Sequence, residues 1–235
     1  MTRLYAVMYP DTCSQYPYIG YPFLRVKGGK SDIPVRRHHW RWSLGMPTSE
    51  QKGNLSVMSG EVWQQNMYRM FADGFPSPSA HFIEGTGGRK ITYGEVESGS
   101  ARLANALVGF GVVEGDRVMV QTHKSPEVVL LYLACLRINA TFVPLNTAYT
   151  EAELRYFLSD AEPRLVVCDP ASPIASIDLA GDYPGARLET LDAEGQGSLT
   201  EAATGQPEIF VTAGGDGSAI ACILYTSGTT GRPKG

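Results

Sequence analysis

The apolar run Ala219-Ile220-Ala221-Cys222-Ile223-Leu224-Tyr225 passes directly into Thr226-Ser227-Gly228-Thr229-Thr230-Gly231-Arg232-Pro233-Lys234-Gly235. So short an apolar run, bounded by glycine on both sides, reads as a buried strand that feeds a loop. The loop has the composition of a phosphate site. Its three glycines allow positive φ and a close approach of backbone N–H groups to a polyanion, its four hydroxyls can donate, and Lys234 adds a mobile positive charge.

A Walker A loop is the first rival, and it needs lysine directly after the last glycine, Ser or Thr next, and a helix to receive the phosphate. Here Arg232-Pro233 separates Gly231 from Lys234, and Gly235 stands where the magnesium-holding hydroxyl should be. A P-loop phosphotransferase is therefore the weaker reading. The string Tyr225 to Gly235 instead resembles the phosphate-binding signature of the adenylate-forming superfamily, which comprises acyl-CoA synthetases, luciferases and peptide-synthetase adenylation domains. Upstream, Leu131 to Arg137, Pro144 to Thr150, Glu153 to Phe157 and Asp160 to Val167 follow that superfamily's N-terminal region in order, from about residue 67 onward. They look most similar to the malonyl-CoA synthetases.

This resemblance implies a two-step ligase that uses ATP with Mg2+, coenzyme A as co-substrate, and malonate or a similar carboxylic acid. Thr226, Ser227, Gly228, Thr229, Thr230, Gly231 and Lys234 would contact the β and γ phosphates, and none would be a nucleophile. Positioning and charge stabilisation would be their contribution. At roughly 4 Å near a protein surface, one lysine charge is worth about 4 kcal/mol against one phosphate charge before desolvation. The resemblance further implies that adenine, ribose, magnesium and acid-recognition segments and a C-terminal lid follow the loop, so the 235 residues alone are expected to be catalytically incomplete, poorly soluble and weakly cooperative. A fragment that at most binds an anion or a partner is the alternative function.

The formal net charge of -4 hides two halves of opposite sign. Residues 1–60 carry eight Lys/Arg against three Asp/Glu, and residues 61–235 carry twelve against twenty-one. An acidic body cannot steer ATP from a distance and lacks the basic face a nucleic-acid binder needs, so phosphate attraction must be local. The reversal marks a boundary near residue 60. The first segment holds Tyr-Pro pairs and the patch Arg36-Arg37-His38-His39-Trp40-Arg41-Trp42 without helical or alternating periodicity. It reads as a disordered arm, or as an over-extended start before Met58 or Met67; its prolines fit a mitochondrial presequence poorly. Adjacent His38 and His39 lack partners at metal-ligand spacing.

Cysteines 13, 135, 168 and 222 form no zinc or redox pattern, and the last three read as small buried apolar residues. With no signal peptide and no membrane-length apolar span, the expectation is a cytoplasmic protein, or a mitochondrial one if the arm is a genuine presequence.

From residue 61 the periodicity alternates. Helices are expected at Glu61–Asp73, from Thr92 to Gly109 or Gly111, at Pro126–Asn139 and at Glu151–Ser159; capping boxes at Thr92/Glu95 and Thr150/Glu153 open two of them, and a Ser125 cap opens the third. Strands are expected at Ala80–Glu84 and Arg89–Tyr93, joined as a hairpin through Gly85–Gly88, and at Arg117–Thr122, Thr141–Pro144 and Leu165–Cys168. This succession predicts an α/β fold with a mainly parallel sheet flanked by helices on both faces, the N-terminal portion of an adenylate-forming enzyme. Residues 169–217 read as a linker with one short helix at Ser198–Ala203, and Asp178 and Asp192 as solvated loop residues. His123-Lys124-Ser125 follows a strand, a usual address for ligands, yet capping and solvation account for it; helix entry accounts equally for Asn146 to Thr150.

Overall fold

The computed structural model describes residues 64–84, 89–227 and 233–234; the basic segment 1–60, Gly85–Gly88 and the loop residues Gly228–Arg232 lie outside them. In chain order the elements are β1 (Gln64–Gln65), α1 (Met67–Ala72), β2 (His81–Glu84), β3 (Lys90–Thr92), α2 (Tyr93–Gly109) and β4 (Arg117–Gln121). There follow α3 (Pro126–Arg137), β5 (Thr141–Pro144), α4 (Glu151–Ala161), β6 (Leu165–Cys168), a 3-10 turn at Pro173–Ser176, α5 (Leu179–Asp182) and β7 (Arg187–Thr190). The chain continues through α6 (Ser198–Ala203), β8 (Gly215–Asp216), β9 (Thr226–Ser227) and β10 (Pro233–Lys234).

Strands β5-β4-β6-β7 form one parallel sheet, with Met119 beside Val143 and Val166, and Val166 beside Leu188. The strands are apolar on both faces because both faces are covered. Val118, Val120, Leu165 and Val167 point into a cluster with α2, α3 and α6, whereas Met119, Val143, Val166 and Cys168 point into one with α4, the 3-10 turn and α5. The expected doubly covered sheet is therefore present. A third cluster, with Tyr68, Ile91, Val96, Leu133 and Leu136, seats α1 and the β2/β3 pair on the outer side of α2 and α3.

Both capping boxes form. Thr92 accepts from the Glu95 backbone while Glu95 accepts from the Thr92 N–H at 2.7 Å, and Thr150 and Glu153 repeat the exchange with the return bond at 2.8 Å. β2 and β3 pair antiparallel as expected. Four expectations are corrected. First, α1 starts at Met67, not near Glu61, because the Asn66 side chain accepts from the Tyr68 and Arg69 N–H groups and Gln64–Gln65 pairs parallel with β8 instead. Second, α3 ends at Arg137, and Asn139, at φ 55, turns the chain left-handed into β5. Third, Ser125 supplies extended cap backbone before Pro126 but no side-chain cap bond, and its Oγ is buried with no hydrogen-bond partner among the described residues.

The fourth correction concerns the supposed linker. It contains β7, an edge strand of the main sheet, as well as the 3-10 turn and α5. Asp178 caps α5 through the Gly181 N–H, and Asp192 Oδ1 accepts from the Glu194 and Gln196 N–H groups, so both acids organise turns rather than simply facing water. The helix at Ser198–Ala203 is where the sequence places it.

Arg137 joins three helices. Its Nε donates to Ser100 Oγ at 3.0 Å, and its Nη2 donates to the Glu97 carbonyl at 3.0 Å and to the Tyr68 hydroxyl. The guanidinium also lies 3.8 Å from the centre of the Tyr68 ring. No described helix is long and apolar enough to cross a membrane.

Candidate functional site: a hairpin after the outer strand

In an open parallel sheet, ligands gather at the C-terminal strand ends where successive crossovers leave in opposite directions. Here that crevice lies between β4 and β6, since the connection after β4 runs to β5 on one side and the connection after β6 runs to β7 on the other. Gln121 fills it. Its side chain is fully buried, donates from Nε2 to the Asn146 carbonyl at 3.0 Å, and accepts from the Ser172 hydroxyl through Oε1. Both ends of the amide are thus used to tie loops together. Nearby, Asn146 Oδ1 accepts from the Ala148 N–H, which is the helix-entry role the sequence suggested.

A second feature is a cleft of about 500 Å³ whose lining includes Asp116, Glu162, Arg164, Asp182 and Tyr183. It sits where β4, β6 and β7 begin, the edge opposite to the one that carries ligands in such sheets. Arg164 there donates to the Gly111 and Gly185 carbonyls at 3.2 and 3.1 Å, closing turns.

The segment from 219 to 225 runs along the outer side of β5. The Phe142 N–H donates to the Ala221 carbonyl and the Ile223 N–H to the Phe142 carbonyl, each at 3.0 Å, making a single parallel bridge between Phe142 and Cys222. The expected strand is thus reduced to one bridge, though Ala221, Cys222 and Ile223 are buried as the apolar run requires. Alternation continues past it: Ile223 and Tyr225 face the α4 cluster, while Cys222 and Leu224 face the α3 cluster. Burial pushes the Cys222 thiol up to about 12, and the Tyr132 hydroxyl of the same region up to about 12 through burial first and the neighbouring thiols second. The Cys222 thiol and the Tyr132 hydroxyl beside this segment are therefore neutral at ordinary pH.

Immediately after Tyr225 the chain forms β9, which pairs antiparallel with β10, Ser227 opposite Pro233 and Thr226 opposite Lys234. Of the expected phosphate contacts, Thr226 and Ser227 lie on the outgoing strand and Lys234 on the returning one. Gly228, Thr229, Thr230 and Gly231 fall outside the described residues. The antiparallel return differs from the helix that a Walker A loop requires at this point. Sequence reading missed what stands under the hairpin: the Tyr225 ring packs 4.4 Å from the Phe157 ring, and its hydroxyl donates to Asp160 Oδ2 at 2.7 Å. A signal existed in Asp160 itself, an acid in the last turn of α4 where the helix dipole disfavours it.

Among the described residues no group of three His, Cys, Asp or Glu side chains converges as a metal site. Cys135, Cys168 and Cys222 are free and buried, as the sequence indicated.

With this geometry in place, the comparisons with known proteins are specific. The family model of the AMP-binding enzymes matches residues 70–235. The 3-hydroxybenzoate–CoA ligase of Aromatoleum sp. is 34% identical over 151 residues, which is 63% of this chain and 29% of that protein. Long-chain-fatty-acid–CoA ligase FadD13 of Mycobacterium tuberculosis is 32% identical over 157 residues, 66% of this chain and 30% of the relative. Among solved structures, ATP-bound MatB from Rhodopseudomonas palustris superposes with a TM-score of 0.68 at 47% identity, over 72% of this chain and 34% of that one. The chain therefore spans about a third of the length of these relatives.

Proposed function

Since the chain belongs to the AMP-binding enzyme family, we propose that it supplies the phosphate-gripping part of an ATP-dependent acid–thiol ligase. In the first step a carboxylate oxygen attacks the α-phosphorus of ATP. The bond to the β-phosphate oxygen breaks, pyrophosphate leaves with the electron pair, and an acyl-adenylate remains. In the second, the coenzyme A thiol gives its proton to solvent and its sulfur attacks the acyl carbon; the bond from that carbon to the AMP phosphate oxygen breaks, AMP leaves with the electron pair, and the thioester remains. The acid we assign is malonate, on the likeness of the segments between Leu131 and Val167 to malonyl-CoA synthetases; the 47% identity with MatB is in keeping with it.

The observation that carries the phosphate role is the antiparallel return of β10 on β9, which sets the backbone of Lys234 opposite that of Thr226. The pairing holds the two ends of the glycine- and hydroxyl-bearing segment together at its base, and backbone N–H groups gathered in a turn are one way a polypeptide holds phosphate without a helix. Thr226, Ser227, Gly228, Thr229, Thr230, Gly231 and Lys234 would then hold the β and γ phosphates and stabilise the charge that builds up as pyrophosphate leaves. They orient and neutralise; the substrate carboxylate performs the attack. Magnesium would arrive with ATP, and no residue of this chain is assigned to it.

The test is a ladder of ligands titrated calorimetrically with magnesium into the chain. If the hairpin grips the β and γ groups, affinity rises from AMP through ADP to ATP, and pyrophosphate competes with ATP. Equal affinity for AMP and ATP, with no competition from pyrophosphate, would refute the reading.

A further inference from the structure

Tyr225 occupies a particular place, as the last residue before β9. Upstream, the backbone is fixed to β5 by bonds at Ala221 and Ile223; downstream, β9 departs toward its pairing with β10. Between those points the Tyr225 side chain reaches over α4. Its ring lies 4.4 Å from that of Phe157, with the planes inclined at 46°, and its hydroxyl donates to Asp160 at 2.7 Å.

Phe157 is fully buried and immobilised by two further rings, Tyr149 at 4.8 Å and Tyr156 at 5.6 Å. It offers a rigid platform. Asp160 sits in the final turn of α4, where a negative charge opposes the helix dipole, so its place there is not explained by helix stability. The bond it accepts comes from a residue 65 positions away. Ring contact and hydroxyl bond together fix the two ends of one aromatic side chain, and thereby the direction in which the backbone leaves the sheet.

We propose that Asp160 and Phe157 are positioning residues for the phosphate hairpin, acting through Tyr225 to set the exit angle of Thr226 and Ser227 so that the returning strand brings Lys234 onto the phosphates. This rests on the functional reading above. Neither residue touches the nucleotide. The clamp works by holding the start of β9 in one direction, so its loss weakens binding without removing any contact to the ligand.

The experiment titrates pyrophosphate with magnesium into the 235-residue chain and into Tyr225→Phe, Asp160→Ala, Asp160→Asn and the Tyr225→Phe/Asp160→Ala pair. All are measured at a temperature where circular dichroism shows each folded. Tyr225→Phe keeps the ring and its packing, so it isolates the hydroxyl bond. Each of Tyr225→Phe and Asp160→Ala should weaken pyrophosphate about tenfold, the scale of one hydrogen bond to a charged acceptor. If both changes act through the Tyr225–Asp160 bond, the pair should be no weaker than the more weakly binding of the two single changes. Asp160→Asn, whose amide oxygen still accepts, should return affinity to within about twofold. A merely structural role would shift the melting temperature and leave these affinities alone.

Lys234→Ala separates the two levels. Should it weaken pyrophosphate while Tyr225→Phe and Asp160→Ala stay within twofold of the original, the positioning role is wrong and the phosphate reading stands. Should it bind as well as the unmodified chain, or should that chain not bind pyrophosphate, the phosphate reading fails and takes this inference with it. Losses in the singles that multiply in the pair would also overturn the clamp.

Discussion

Replacing Arg137 by methionine tests how the three helices on one side of the sheet are held together. The residue is only 5% exposed, and the partners of its guanidinium are the Tyr68 and Ser100 hydroxyls, the Glu97 carbonyl and, at 3.5 Å, the Phe210 carbonyl. Among the described residues no carboxylate pairs with it, and burial pulls its pKa down, with Tyr68 and Glu97 opposing that shift. Two effects compete. Methionine relieves the desolvation of a cation, a gain that can reach a few kcal/mol when nothing polar is left behind. Here something is left behind: three good hydrogen bonds at about 1 kcal/mol each, a cation–ring contact of about 1 kcal/mol, and hydroxyl and carbonyl groups without their donor.

The second effect should win by about 3 kcal/mol. For a chain of this size that lowers Tm by about 6–12 °C. Arg137→Lys should lose about 2 kcal/mol despite keeping its charge, because an ammonium cannot span acceptors on three helices. Urea unfolding followed by far-ultraviolet circular dichroism measures both, with the slope checked for a change in the unfolded state. Pyrophosphate affinity should stay unchanged, since Arg137 lies on the α2/α3 side and the hairpin base rests on α4. An Arg137→Met chain within 0.5 kcal/mol of the original would show that the bonds only offset desolvation, and the reasoning would be wrong.

Three further expectations follow from local geometry. Gly197 lies at φ +146, and a β-carbon there would stand 2.3 Å from the Thr190 carbonyl oxygen, so Gly197→Ala should destabilise by about 2–3 kcal/mol in the same urea assay; an unchanged midpoint would mean that the turn relaxes freely. The Glu95 and Glu153 carboxyls are held below the ordinary value, first by the backbone N–H and then by the hydroxyl of Thr92 and Thr150. A depressed folded pKa means the contribution is complete above the unfolded value, about 4.3, and is lost as pH falls through the folded one. The Glu95→Gln/Glu153→Gln pair should therefore have a shallower stability loss as pH falls below about 4.3, and an identical acid limb would rule this out. Cys168 and Cys222, whose thiols burial raises to about 12, and Cys135, also raised by burial, should resist maleimide at pH 8 in the native chain and react in urea, as read by peptide mass spectrometry.

The legible parts of the fold were those whose signal is local. The reciprocal Thr/Glu pairs at 92/95 and 150/153 announced two helices to within a few residues, because a capping box uses only neighbours in sequence. Runs such as Leu165–Cys168 read as strands because both faces are buried. Long-range decisions were hidden. The sequence around Asn66 looks helical, yet Asn66 donates to the Leu136 carbonyl and to Asn139 Oδ1 at 2.8 and 2.7 Å, contacts some 70 residues away, and starts the helix there. β7 was missed because Arg187–Thr190 is an edge strand, with a mixed exposure pattern and proline and glycine just before it.

The candidate site shows the same division. The hydroxyl and glycine pattern was conspicuous in sequence, and so was the lysine that ends it. Its antiparallel return was not, since Arg232-Pro233 suggests only a turn. Asp160 was an odd acid for the last turn of α4, but that it meets Tyr225 over Phe157 shows only once α4 lies beside the segment leading to Tyr225.

The most direct measurement is the affinity of magnesium ATP for the chain in which Thr229, Thr230 and Lys234 are all alanine. Removing two hydroxyl donors and one charge from the γ and β phosphates should weaken ATP by at least a hundredfold, about 2.7 kcal/mol, while AMP affinity and the far-ultraviolet spectrum stay as they were. If the altered hairpin binds ATP as tightly as the original, the diphosphate is held elsewhere and the account of this loop is contradicted.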